Sequence, residues 1–214
     1  MTKKGQGIID DIKEGFKRIT MPKANTSTMT ATEKTMAKLS QQAYKVSPLE
    51  NVDGYTLILN DKRVKLYEKD NKIVVSIRGT LDTEDVKDDI HFALNRLETS
   101  PRFIQLKKIV ANIFAKFPEK DIYFTGHSLG GGMVFYLVKV FGSKIKGDVF
   151  NPATNLEVLR SIAPKNVKAH IIEGDIVSDA LGKFLPNKQV YTNPYGSSTE
   201  LSHNIKSHKI AAFI

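Results

Sequence analysis

An α/β domain built on a mainly parallel sheet is the fold class that the sequence predicts, and three observations predict it. Short apolar runs typical of strands buried on both faces alternate with helical patterns, in the order strand, helix, strand, helix, strand along the second half of the chain. Residues 121–141 read as a strand, a glycine-bounded turn and a buried helix, with Gly126 and Gly130 two residues either side of Ser128. The 214 residues suffice to bury a substantial core in one domain and show no internal repeat.

Residues 1–30 differ from the rest and are set apart from a domain over 31–214. Ile8, Ile9, Ile12, Phe16 and Ile19 fall on one helical face, with Lys13, Lys17 and Arg18 elsewhere, so a short amphipathic helix is expected over 7–20, ended by Pro22. Two uses are open for it: residues 1–24 rest on an anionic membrane surface, or they pack back on the domain. The domain then opens with a helix over 32–44, capped by Thr30 or Thr32. Strands are predicted at 55–59, 64–67 and 73–77, with turns at Asn60-Asp61 and Lys69-Asp70-Asn71.

From residue 83 to 120 the pattern is charged and helical, and Ile104, Ile109, Ile113 and Phe114 mark a long amphipathic helix that stops before Pro118. The strand at 122–125 and the helix at 133–141 flank the glycine turn. Strands are then expected at 146–150 and 167–172, separated by a helical stretch at 156–162. Ser207 can cap a last helix that Ile210, Phe213 and Ile214 anchor to the core.

Composition excludes several classes. With no cysteine, disulfides and thiolate metal sites are ruled out, which fits a reducing compartment such as the cytoplasm, and the five histidines show no H-E-x-x-H spacing, so no metal and no cofactor are expected. A net charge of +9 and a pI near 9.5 favour anionic surfaces, yet there is no nucleic-acid motif and no tryptophan, so specific nucleic-acid binding is not expected. No apolar run approaches the roughly 20 residues of a membrane span. Asp10 and Asp11 stand where a secretory signal would continue its apolar stretch, so the chain is read as soluble and made outside the secretory route.

The turn at Ser128 carries the chemistry. Glycines flank a serine in this way where the backbone is strained and strand and helix pass too close for a Cβ, leaving the hydroxyl exposed at the sheet edge. A serine hydroxyl is a weak nucleophile until a base takes its proton, and the base needs a carboxylate to fix its tautomer. Catalytic groups of parallel α/β sheets sit at the carboxyl ends of strands, and Asp175 follows the 167–172 strand directly, with Gly174 opening the turn. Asp148 begins a strand, at the wrong edge, and Asp179 is a second choice. For the base, His170 lies mid-strand and reads as a packed histidine, and His127 within the turn reads as a local packing residue. His203 and His208 remain, with His208 favoured because a helix capped by Ser207 would hold it. The backbone N–H of Leu129 is placed to receive an oxyanion, and Thr80, after the 73–77 strand, offers a second donor.

These motifs together resemble the class 3 lipases of the α/β-hydrolase superfamily. The resemblance rests on residues 39–44 (Leu-Ser-Gln-Gln-Ala-Tyr), on residues 74–80 ending in Arg78-Gly79-Thr80, and on the Asp85 and Asp89 pair. It extends through Gly126-His127-Ser128-Leu129-Gly130-Gly131, Phe150-Asn151-Pro152-Ala153 and residues 172–177, so that it covers about residues 32–214. It implies an α/β-hydrolase fold and hydrolysis of carboxylic esters, with lipids such as triacylglycerols or phospholipids as the substrate class. It also implies Ser128 as nucleophile, Asp175 as acid, His208 as base, and Thr80 with Leu129 as oxyanion donors. The family's last motif is similar to residues 208–214 and independently favours His208. The chain departs from fungal members in its shorter length and in the acidic residues Asp82, Glu84, Asp85, Asp88 and Asp89 of its one lid candidate, residues 81–96.

Overall fold

The structure, a computed structural model, describes residues 24–79, 97–161, 165–175, 185, 187–193 and 208–214. The expected amphipathic helix at 7–20, the lid candidate at 81–96, and Thr80, Asp179, His203 and Ser207 lie outside the described residues.

Eight strands form one sheet whose spatial order is the sequence order. They are β1 (Asn51–Val52), β2 (Tyr55–Asn60), β3 (Val64–Lys69), β4 (Lys72–Ile77), β5 (Asp121–His127), β6 (Gly147–Phe150), β7 (Val167–Ile172) and β8 (Lys188–Tyr191). β1 to β4 pair antiparallel and β4 to β8 pair parallel. Connection length explains the split. Tight turns join β1 to β2 and β3 to β4, with Asp53, Gly54 and Asp70 at positive φ, whereas a parallel pair needs a crossover of a dozen or more residues.

Helices cover both faces. On one, α1 (Ala31–Gln42) sets Met36 and Leu39 against Tyr67, Val74, Phe150 and Ile172, and the 3-10 turn Ile210–Phe213 packs beside it through Ile210 and Phe213. On the other, α2 (Pro101–Lys116) and α3 (Leu129–Phe141) pack Phe103, Leu106, Val110, Met133 and Phe135 against Val75, Phe124 and Val149, and α4 (Leu156–Ser161) adds Val158. Because both sides are covered, β4 is buried from Ile73 to Ile77 and reads as a continuous apolar run rather than an alternation.

Local signals set the helix starts. Thr30 and Glu33 form a reciprocal capping box at α1: the Thr30 hydroxyl accepts the Glu33 N–H at 3.2 Å, and the Glu33 carboxylate accepts the Thr30 N–H at 2.7 Å. A cap of this kind is worth about 1 kcal/mol. Ser100 caps α2 and Pro101 occupies its first turn.

Two expectations need correction. Ile104, placed by the sequence reading on the buried face of α2, is 41% exposed, while Phe103, Leu106, Val110 and Ile113 are buried. This second set, at i, i+3, i+7 and i+10, is the 3.6-periodic face that packs on the sheet. After His208 the described residues turn into a 3-10 helix, Ile210–Phe213, opening at Lys209, so the expected last helix does not run on through Ile214 as an α-helix, although Ile210 and Phe213 are buried as anchors. Neither β1 nor β8 was expected. Each is short and mostly exposed, so it lacks an apolar signature. Among the described residues no helix is long and apolar enough to cross a membrane.

Candidate active site

The register aligns the carboxyl ends of the parallel strands. Ile77 stands opposite Gly126, His127 opposite Phe150, Phe150 opposite His170, and Ile172 opposite Tyr191. Ser128 follows β5 at that edge with φ 56 and ψ −127, a left-handed conformation that costs a non-glycine residue of order 1–3 kcal/mol. Three hydrogen bonds, each of 3.0 Å, hold it there: the Ser128 N–H donates to the Phe150 carbonyl, and its own carbonyl accepts from the N–H groups of Gly132 and Ala153. Gly126 must be glycine because a Cβ on it would lie 2.7 Å from the carbonyl carbon of Gly130. A Cβ on Gly130 would in turn strike the Ile77 carbonyl. The turn is thus closed by its neighbours on both sides.

Asp175 leaves the end of β7 through Gly174, whose φ is 70, and its N–H donates to the Ile172 carbonyl at 3.1 Å. Asn151, just past β6, fixes this corner: its side-chain oxygen accepts the Ile172 N–H at 2.9 Å. His208 reaches the same place from the other end of the chain. Its Nδ1 lies 2.7 Å from Asp175 Oδ2 and its Nε2 lies 2.9 Å from Ser128 Oγ. The three side chains form one buried line, with exposures of 0% for Asp175, 7% for His208 and 4% for Ser128.

Leu129 opens α3, so its N–H is among those that a helix leaves without an intrahelical acceptor, directly beside Ser128. Arg102 on α2 donates through one nitrogen to the carbonyls of Arg78 and Gly79, clamping the end of β4 that leads to Thr80. Burial pulls the Arg102 guanidinium down to about 10, which leaves it charged at neutral pH. Arg102 and Asn151 act through backbone groups; Asn151 stands in a motif of the resemblance that assigned it no role, and no spacing in the sequence marked Arg102.

His127, expected to pack locally, is 5% exposed and bridges to His208. Burial, with a smaller contribution from neighbouring His208, pulls its imidazole down from 6.5 to about 3. The sign of the effect on stability follows. The unfolded chain takes up a proton below about pH 6.5 that the folded chain refuses until about pH 3, so His127 removes stability as the pH falls through that window, at up to about 1.4 kcal/mol per pH unit. Urea denaturation between pH 7 and pH 4 should therefore show the parent losing more stability than His127→Gln. Parallel losses would mean that His127 is not held neutral.

A third buried histidine among the described residues, His170, belongs to a separate cluster. His170 bonds Asp148 at 2.8 Å and the Tyr191 hydroxyl at 2.7 Å, and Tyr123 donates to the second Asp148 oxygen at 2.8 Å. Burial first, then Asp148, pushes the Tyr123 hydroxyl far up, so it stays protonated and able to donate. Glu33 lies near enough for its carboxylate, Asp148 and His170 to present atoms within 4.8 Å of one another, a spacing that could hold a cation. Each is already engaged within the chain, and Lys168 supplies the positive charge at 2.6 Å from Glu33. Asp148 and His170 do not join Ser128.

A sequence model of the phospholipase-like family described as the Tle-like phospholipase domain matches residues 20–182. The chain belongs to that family. Among curated proteins, it is 30% identical over 127 residues to a GDSL esterase/lipase of Arabidopsis thaliana, a match that takes in 55% of this chain and 36% of the relative, so the chain spans little more than a third of that protein. Among solved structures, it is similar to the Lip2 lipase of Yarrowia lipolytica, with 18% identity, a TM-score of 0.52, and 78% of this chain and 80% of that one covered. A triacylglycerol lipase of Penicillium expansum gives 16% identity, a TM-score of 0.52 and 79% of each chain. At such identities the likeness shows the fold alone, which is the α/β-hydrolase fold. The phospholipase-like family and this fold agree with the class 3 lipase resemblance carried by the motifs.

Proposed function

We propose that this domain is a serine ester hydrolase that removes an acyl chain from a phospholipid, with Ser128 as nucleophile, His208 as general base and Asp175 as the carboxylate that orients it. The observation that carries the proposal is the unbroken line from Asp175 Oδ2 through His208 to Ser128 Oγ, with contacts of 2.7 and 2.9 Å at the end of the parallel strands. The carboxylate accepts the Nδ1–H of a neutral imidazole, which leaves the Nε2 lone pair facing the hydroxyl.

In the first half-reaction Ser128 Oγ bonds to the ester carbonyl carbon as its proton passes to His208 Nε2. The Leu129 N–H stabilises the oxyanion, and Thr80 is proposed as the second donor on the strength of its place in the sequence. Collapse expels the alcohol, which takes the proton from His208 and leaves an acyl-enzyme. Water then repeats the sequence and releases the fatty acid. Family membership supports a phospholipid as substrate.

A fluorophosphonate probe tests the reading, since it reacts only with an activated serine. Stoichiometric labelling at Ser128, together with release of fatty acid from phosphatidylcholine vesicles, is the expected result. An unlabelled protein that still binds those vesicles would replace the hydrolase by a lipid-binding module. Turnover of emulsified triacylglycerol but not phospholipid would move the substrate class and leave the chemistry standing.

A further inference from the structure

His127 occupies the variable position between Gly126 and Ser128 and is the last residue of β5. Successive strand residues face opposite sides, so its side chain shares a face with that of Thr125. The Thr125 hydroxyl meets the Ser40 hydroxyl at 2.7 Å and the Met36 carbonyl at 3.2 Å, which fixes this face against α1. On the same face the His127 ring reaches the C-terminal segment: Nε2 bonds the backbone carbonyl of His208, and the two rings lie 4.8 Å apart between centroids.

A carbonyl can only accept, so Nε2 carries the hydrogen and Nδ1 is left as an acceptor. Opposite Nδ1, at 2.8 Å, stands the hydroxyl of Tyr44, two residues beyond α1. The same hydroxyl lies 3.3 Å from the His127 carbonyl. At Gly79 a Cβ would run into the Tyr44 hydroxyl, and it would lie 2.6 Å from the His127 carbonyl. The end of α1, the serine turn and the His208 segment are therefore joined through a single imidazole.

We infer that His127, oriented by Tyr44, is a positioning residue that fixes the backbone of His208 relative to Ser128. The inference rests on the roles proposed above for Ser128 and His208. His208 is separated by 80 residues from Ser128 and by 33 from Asp175, so no local turn sets its place. The bonds of its imidazole orient a side chain, but they cannot define the backbone from which that side chain swings. An error of about 1 Å in such a group can cost on the order of a hundredfold in rate. A donor rooted in the residue before the nucleophile ties the base to the atom it must serve. The neutrality of His127 suits this task, because an imidazolium in its place would oppose the charge that His208 acquires on accepting the Ser128 proton.

The test compares the parent with His127→Gln, His127→Phe and Tyr44→Phe. Gln keeps a donor of similar reach, whereas Phe keeps the ring and loses the donor. The measurements are kcat and KM on a soluble short-chain ester, the rate of fluorophosphonate reaction at Ser128, and the melting temperature. His127→Phe is expected to lower kcat and the labelling rate together by about 30- to 100-fold, with KM within about twofold. His127→Gln should recover to within about fivefold of the parent, and Tyr44→Phe should fall about five- to tenfold. A residue that only packs gives the other order, so a Phe variant as active as the Gln variant, or a loss seen only in melting temperature, overturns the inference. If the Phe variant does not fold, Tyr44→Phe decides alone, and unchanged kcat and labelling overturn it. A parent that neither labels nor turns over ester overturns the underlying reading of Ser128 instead, an outcome distinct from an active parent with equally active variants.

Discussion

Ser128→Ala is expected to lower ester turnover by about a thousandfold or more, leaving the residual rate that substrate binding and oxyanion donors provide. The fold should survive. Ala and Ser both carry a Cβ, so the left-handed backbone at φ 56 is no more strained in the variant. The serine side chain gives no capping hydrogen bond to α3, and the contacts that hold the turn come from its backbone. Among the described residues, the side chain's lost contact is the 2.9 Å bond from Oγ to His208. Turnover of p-nitrophenyl esters, with thermal melting as a control on folding, checks the expectation. Parental turnover by the Ala variant would remove Ser128 as nucleophile and end the hydrolase reading at this site.

The second large effect lies at the other end of the line. Asp175 is fully buried and bonds His208 Nδ1 at 2.7 Å, so Asp175→Asn replaces an obligate acceptor by an amide that can donate. Donation from the amide holds the imidazole in the tautomer whose Nε2 carries the hydrogen, and that imidazole cannot take the serine proton. A loss of about ten-thousandfold is expected by analogy with other triads of this type. His208→Ala should cost as much as Ser128→Ala, since the two groups act as a unit. Asp179→Asn and His203→Ala, measured alongside, should each change kcat by less than about tenfold. The opposite pattern would transfer both roles to those residues.

Much of this architecture was legible because it is local. The serine turn announces itself through Gly126 and Gly130, whose spacing is dictated by backbone contacts within a few residues. The apolar run of β4 and the buried helix after Ser128 reflect burial on both faces of one sheet. Asp175 could be singled out because a residue just past a parallel strand must emerge at the same edge as Ser128. The register of α2 was harder. Ile104 and Phe103 are adjacent and both apolar, and which of them is buried is decided by how the helix docks on the sheet, not by any local signal.

By itself, then, the sequence determined the fold class, the position of the serine turn and the strand end that carries the aspartate, because each is written in spacings shorter than a single element. Between His203 and His208 it left a choice, and it said nothing of how Tyr44, Arg102 or Asn151 serve the site. Only the tertiary structure brings the His208 imidazole to Ser128 across 80 residues and sets the His127 ring between Tyr44 and the His208 carbonyl. Such contacts depend on where distant segments dock on a shared sheet edge, and hydrogen bonds to backbone groups leave no pattern along the chain by which they could be read in advance.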